Sequence, residues 1–88
     1  MQVECDSRKS AANLKKHGVS FQEAETVFYD PLGLTCEDDG AQGEARFLTV
    51  GLGGLGRILT VVWAQRAECI RLISAREATR NERRAYES

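Results

Sequence analysis

The apolar residues Phe21, Ala24, Val27 and Phe28 recur at the spacing of one helix face, and Ser20 with Glu23 three residues later forms a capping-box signature at its start. Asp30-Pro31 stops that helix, because the residue before a proline is driven out of the α region. Ahead of it, residues 8–17 carry helix punctuation: Asp6 as an N-cap, Lys15, Lys16 and His17 in the last turn, and Gly18 directly after. A short extended piece over residues 3–5 precedes them. The start of the chain thus predicts two consecutive helices.

The pattern changes in the second half. Residues 46–50, 57–64 and 69–75 are rich in β-branched and aromatic side chains, and their short separations suit hairpins. In the middle run Ile58, Thr60 and Val62 alternate with Leu59, Val61 and Trp63, so both faces are apolar, as expected of a central strand covered on one side and partly on the other. Residues 32–43 are weakly patterned: Leu34-Thr35-Cys36 reads as a short strand and Glu37-Asp38-Asp39-Gly40 as turn chemistry. The tail leaves the third strand as a polar helix. These elements predict an α+β fold with two N-terminal helices, an antiparallel sheet of three to four strands and a C-terminal helix. A chain of 88 residues supports one modest core, so residues 1–88 are read as a single domain.

Gly51-Leu52-Gly53-Gly54-Leu55-Gly56 matches the glycine pattern of a dinucleotide loop, but a strand follows it where the helix that receives a pyrophosphate should begin. The glycines read instead as a hairpin connection that uses positive φ angles.

Composition adds two bounds. With 42% hydrophobic and 28% charged residues the chain is an ordinary globular one, without a run long enough to span a membrane or a signal-peptide start, so the expected location is the cytoplasm. Cys5, Cys36 and Cys69 are odd in number and far apart, which fits reduced thiols, buried or half-buried, better than disulfides or zinc ligands, and no metal or other cofactor is expected. Charge is divided along the chain: residues 1–17 carry four basic and two acidic side chains, residues 18–45 seven acidic and none basic, and residues 46–88 eight basic and four acidic. One surface can therefore suit a polyanion and another a cationic partner, despite a net charge of −1.

The candidate chemistry lies in the basic tail. Arg71 sits on the last strand, Arg76 where strand gives way to helix, and Arg80, Glu82, Arg83, Arg84 and Tyr86 on the helix. On helical spacing Arg76, Arg80 and Arg84 fall in one row. Guanidinium groups bind phosphate oxygens in bidentate fashion and stay charged, so they can stabilise charge developing on phosphorus. Glu82 near Arg71 or Arg83 is a candidate general base toward a ribose 2′-hydroxyl, and Tyr86 a group that binds or transfers a proton. The same residues also have structural uses: Glu82 as an ion-pair partner, Tyr86 as packing, His17 as compensation for a helix dipole, and Arg46 and Arg66 as strand-edge charges.

Motifs spread along the chain resemble those of the BrnT family of toxins. They stand here as Glu4-Cys5-Asp6, then Lys9-Ser10-Ala11-Ala12-Asn13-Leu14-Lys15-Lys16-His17-Gly18-Val19-Ser20-Phe21-Gln22-Glu23-Ala24, Val27-Phe28-Tyr29-Asp30-Pro31, Glu44-Ala45-Arg46, Gly56-Arg57-Ile58-Leu59-Thr60-Val61-Val62, and a tail from Ile70 to Glu87. Cys5 replaces a tryptophan usual in the family, Ser7 a proline, and Ala41-Gln42 a His-Ser pair. The resemblance implies a RelE-like fold and a metal-independent endoribonuclease that stops translation, acting on RNA presented by the ribosome or free. It implies Arg71, Arg76, Glu82 and Arg83 as the active centre, with His17, Arg46 and Tyr86 as further candidates for substrate binding, which Arg80 joins from its place in the helical row. It also implies a cognate ribbon-helix-helix antitoxin, BrnA-like, through which alone operator DNA is contacted. A binding-only member that keeps the fold without cleavage is the alternative.

Overall fold

The computed structural model describes residues 2–38 and 45–88. In chain order the elements are β1 (Gln2–Glu4), α1 (Ser7–His17), α2 (Phe21–Thr26) continued by a single 3₁₀ turn (Val27–Tyr29), β2 (Leu34–Glu37), β3 (Arg46–Leu52), β4 (Ile58–Arg66), β5 (Cys69–Glu77) and α3 (Arg80–Glu87).

Local signals form as read. Asp6 Oδ1 caps α1 by accepting from Arg8 N at 2.8 Å, and Gly18 closes it in the left-handed region with φ 73°. Ser20 Oγ accepts from Glu23 N at 3.1 Å, but only half of the expected capping box is made. The Glu23 carboxylate turns instead to Arg57, which donates to it from Nε at 2.9 Å and to the Gly18 carbonyl at 2.9 Å. A charged bidentate partner outcompetes a neutral backbone N–H.

The sheet runs β1-β5-β4-β3-β2, which puts the strand that is apolar on both faces at the centre. The expectation of three to four antiparallel strands needs correcting: the sheet has five strands and is mixed, because β1 pairs parallel to β5 with Glu4 opposite Arg71. A three-residue edge strand is too short to carry a periodicity, and parallel pairing is made from a distant segment. The turn read at residues 37–40 lies partly outside the described residues, as do Ala41-Gln42 and Glu44.

One face of the sheet is the core. Leu59, Val61, Ile70, Leu72 and Ala75 meet Val19, Phe21, Ala24 and Val27 of the helical layer, with Val3, Phe28 and Trp63 against them. Trp63 stacks on Phe47 with ring centroids 4.6 Å apart and forms a T-shaped pair with Phe28 at 5.8 Å, while its Nε1 donates to Thr49 Oγ1 at 2.9 Å. Asn13 joins α1 to the sheet: Nδ2 donates to the carbonyls of Val19 and Ala75, both at 2.8 Å, and Oδ1 accepts from Ala75 N at 3.1 Å. Of the hairpin glycines only Gly56 has positive φ. Gly51 serves closeness instead, since a Cβ there would stand 2.9 Å from Val27 Cγ1.

Candidate active site on the second face of the sheet

The side chains opposite the core alternate with it along each strand, so strand register decides what the second face carries. Arg46 and Arg71 both lie opposite Ala64 of β4, one from each neighbouring strand. Arg76 lies opposite Thr60, four residues from Ala64 and therefore on the same face. In a regular strand Arg71 and Arg76, five apart, would point to opposite faces. A register shift between Val62 and Trp63 leaves Ile73 without an opposite residue, and that extra residue in β5 turns Arg76 onto the face of Arg71. From these pairings, Arg46 and Arg71 are about 10 Å apart across β4, and the Arg76 row is about 13 Å further along it.

Arg76 stays in the strand and is not part of a helical row with Arg80 and Arg84, since α3 begins only at Arg80. Thr79 caps α3 through a complete capping box, which aims Glu82 at the sheet. There Glu82 receives Arg76 Nη1 at 2.7 Å and Nη2 at 3.0 Å, Thr79 N at 2.8 Å and Thr60 Oγ1 at 2.9 Å. These donors, Arg76 foremost, hold its carboxyl at about 2 against an ordinary 4.5, and the same pair raises Arg76 further. Glu82 is thus an ion-pair partner of Arg76, and a carboxylate so stabilised is a weak proton acceptor at neutral pH.

The remaining candidates separate. Arg83 is exposed and lines a hollow with Arg57, Ile58 and Glu77. Ile58 is six residues from Ala64 along β4, so Arg83 and Arg71 stand at opposite ends of the face, roughly 20 Å apart. Arg80 and Arg84 are exposed on α3. His17 ends α1, in the layer on the other side of the sheet. The Tyr86 hydroxyl donates to Asp30, whose carboxylate also accepts from Leu32 N at 2.9 Å and Leu52 N at 2.8 Å. Tyr86 is raised by that contact and Asp30 is lowered, chiefly by the backbone bond from Leu52, so Tyr86 clips α3 to the turn after α2.

Thr60 was not singled out from sequence: it is fully buried, and its hydroxyl completes the cradle of Glu82. A threonine within an apolar strand is its only sequence signal. Arg66 lines a hollow with Arg71, Glu4 and Lys9 at the other end of the face. Arg46 Nε is shielded from solvent and has no hydrogen-bond acceptor among the described residues. Cys5 and Cys36 are exposed, contrary to the expectation of buried thiols. Among the described residues no group of three or more His, Cys, Asp or Glu is arranged to hold a metal ion, and no helix is long and apolar enough to cross a membrane.

Fold and site define a small α+β protein that presents arginines in register on one sheet face, an arrangement suited to phosphate. Residues 6–82 match the family described as the ribonuclease toxin, BrnT, of type II toxin–antitoxin systems, and the chain belongs to that family. It is also similar to the crystal structure of the ribonuclease toxin BrnT of Brucella abortus, with a TM-score of 0.66 at 20% identity, over 91% of this chain and all of that one. That likeness concerns the fold. No curated protein matches the chain. Membership in a type II system implies an antitoxin as partner.

Proposed function

We propose that this chain cleaves RNA on the arginine face of its sheet by metal-independent transesterification. The 2′-oxygen of a ribose bonds to the adjacent phosphorus while the bond to the 5′-oxygen breaks. The proton of the 2′-hydroxyl is lost, one is supplied to the 5′-oxygen, and the products are a 2′,3′-cyclic phosphate and a 5′-hydroxyl. Arg46 and Arg71 hold phosphate oxygens from either side of Ala64. Arg76, fixed in direction by Glu82 and Thr60, stabilises the charge that develops in the transition state. Glu82 acts through Arg76 as a positioning residue, and charge stabilisation rather than a strong side-chain base carries the rate.

The observation that supports this reading most is the bulge at Ile73, which puts three arginines on one face. Bulges recur beside active sites because they re-aim a side chain. The net charge of −1 weakens capture of free RNA and favours a substrate presented by the ribosome in the cytoplasm. The partner is read as a ribbon-helix-helix antitoxin, with operator DNA contacted through it alone.

The test is cleavage of a defined RNA by purified protein, free and on ribosomes, with the ends mapped. Cyclic phosphate ends formed equally in excess EDTA are expected. Activity that disappears with EDTA and returns with a divalent cation would overturn the metal-independent route. No cleavage in any form of the substrate would overturn the enzyme reading.

A further inference from the structure

Helix α3 lies over the second face of the sheet without packing into it. None of its residues is buried, and side chains hold it at two points, Glu82 on Arg76 and Thr60, and Tyr86 on Asp30. Ala85, three residues from Glu82 and on the same side of the helix, contributes only a methyl group, and a hollow of about 290 Å³ stays open beneath it. The floor is Leu34 and Cys36 of β2 with Leu48 and Val50 of β3, paired in register as Leu34 with Val50 and Cys36 with Leu48. Leu34 is 45% exposed, and Cys36 is exposed as well. The polar side chains of the lining are already engaged: Glu82 by Arg76, Thr60 and Thr79 N, and Thr35 Oγ1 by Thr49 Oγ1 at 2.8 Å. What the hollow offers an occupant is carbon and sulfur surface, not hydrogen bonds.

The same register sets this floor between the arginine rows. Leu48 follows Arg46 two residues along the same face of β3, about 7 Å away, and Val50 lies opposite Thr60, which in turn lies opposite Arg76. A ribonucleotide joins an anion to a flat, largely apolar ring. A chain whose phosphates are held at Arg46 or Arg76 therefore carries a base over the floor, and cations at both ends favour such an occupant over an apolar segment of protein. We infer that the hollow seats one nucleobase of the substrate RNA, next to a phosphate held by the arginines. This rests on the proposed cleavage of RNA on that face and gives the substrate a second handle there. A cationic track alternating with an apolar platform is how single strands are gripped without regard to sequence. With its polar side chains engaged, the hollow takes a base by shape and burial and does not read its identity.

The experiment titrates wild type, Arg71→Ala and Leu34→Thr/Cys36→Thr with an uncleavable 2′-deoxy-substituted oligoribonucleotide in which each nucleotide in turn is made abasic, alongside thermal unfolding of each protein. In wild type one abasic position is expected to cost about tenfold in affinity, whereas exchanging the base there changes affinity by less than about threefold. The threonine variant is expected to bind intact RNA about tenfold more weakly and to lose nothing further at that abasic position, because base and floor form one interaction. Losses below about twofold at every abasic position, with binding still dependent on Arg71, would overturn the base seat and leave the arginine face standing. RNA binding that Arg71→Ala does not weaken would refute the face reading, and the seat with it. A threonine variant that keeps its RNA affinity but loses antitoxin binding or dimerisation would assign the hollow to a protein and overturn the inference. Should that variant unfold, alkylation of wild type decides. Intact RNA should protect Cys36 from iodoacetamide and RNA abasic at the critical position should not, whereas equal labelling of Cys36 with and without RNA would overturn the seat.

Discussion

At the residue scale, Glu82 sets the direction of Arg76 and leaves a measurable trace in acid. Its folded value of about 2 lies below the ordinary 4.5, so its contribution to stability is fully present above pH 4.5 and is lost as the pH falls toward 2. Glu82→Gln removes that contribution while Asp30 remains in both proteins. Wild type should therefore be more stable above pH 4.5, with the two melting curves converging toward pH 2, whereas parallel curves would contradict the ion pair. Thr60→Val keeps the buried shape and deletes the donor to Glu82, which is expected to cost about 1 kcal/mol in chemical denaturation. If Thr60 positions Arg76, the same variant lowers the cleavage rate at saturating RNA with little change in RNA affinity. A loss of affinity alone would make it merely structural.

At the scale of elements, α1 is held to the sheet by Asn13 more than by its own polar surface. Asn13→Ala leaves the backbone groups of Ala75 and the Val19 carbonyl without partners, and a loss of about 2–4 kcal/mol is expected in urea denaturation, a large share of a small domain's stability. The helices and three long strands were legible because capping residues and alternation are local signals. β1 was not seen as part of the sheet, since three residues carry no pattern and their partner is far along the chain. The half-made capping box at Ser20 shows the same limit, because Arg57 diverts Glu23 from outside the local window. The bulge at Ile73 has no sequence signal among ordinary strand formers, yet it decides which face Arg76 joins.

At the scale of the whole molecule, arginines from three stretches of the chain share one sheet face, while Glu23 and Asp30 of the acidic stretch are engaged by Arg57 and Tyr86. The residue types of the site were legible and their grouping was not. Arg71, Arg76 and Arg46 converge through register, Glu82 joins them through the cap at Thr79, and Arg83 is carried to the far end of the face. With three arginines meeting phosphates, binding of an uncleavable 2′-deoxy-substituted RNA should weaken with salt at a log–log slope of about −2. A flat response would remove the arginine face as the RNA site. The most direct measurement is growth and total-RNA integrity after induction of wild type, Arg71→Ala and Arg76→Ala at equal levels of folded protein. The account predicts arrest with RNA cleavage for wild type and loss of both, by about a hundredfold or more in rate, for each variant. Arrest and cleavage undiminished in the arginine variants, or intact RNA with normal growth in wild type, would contradict it.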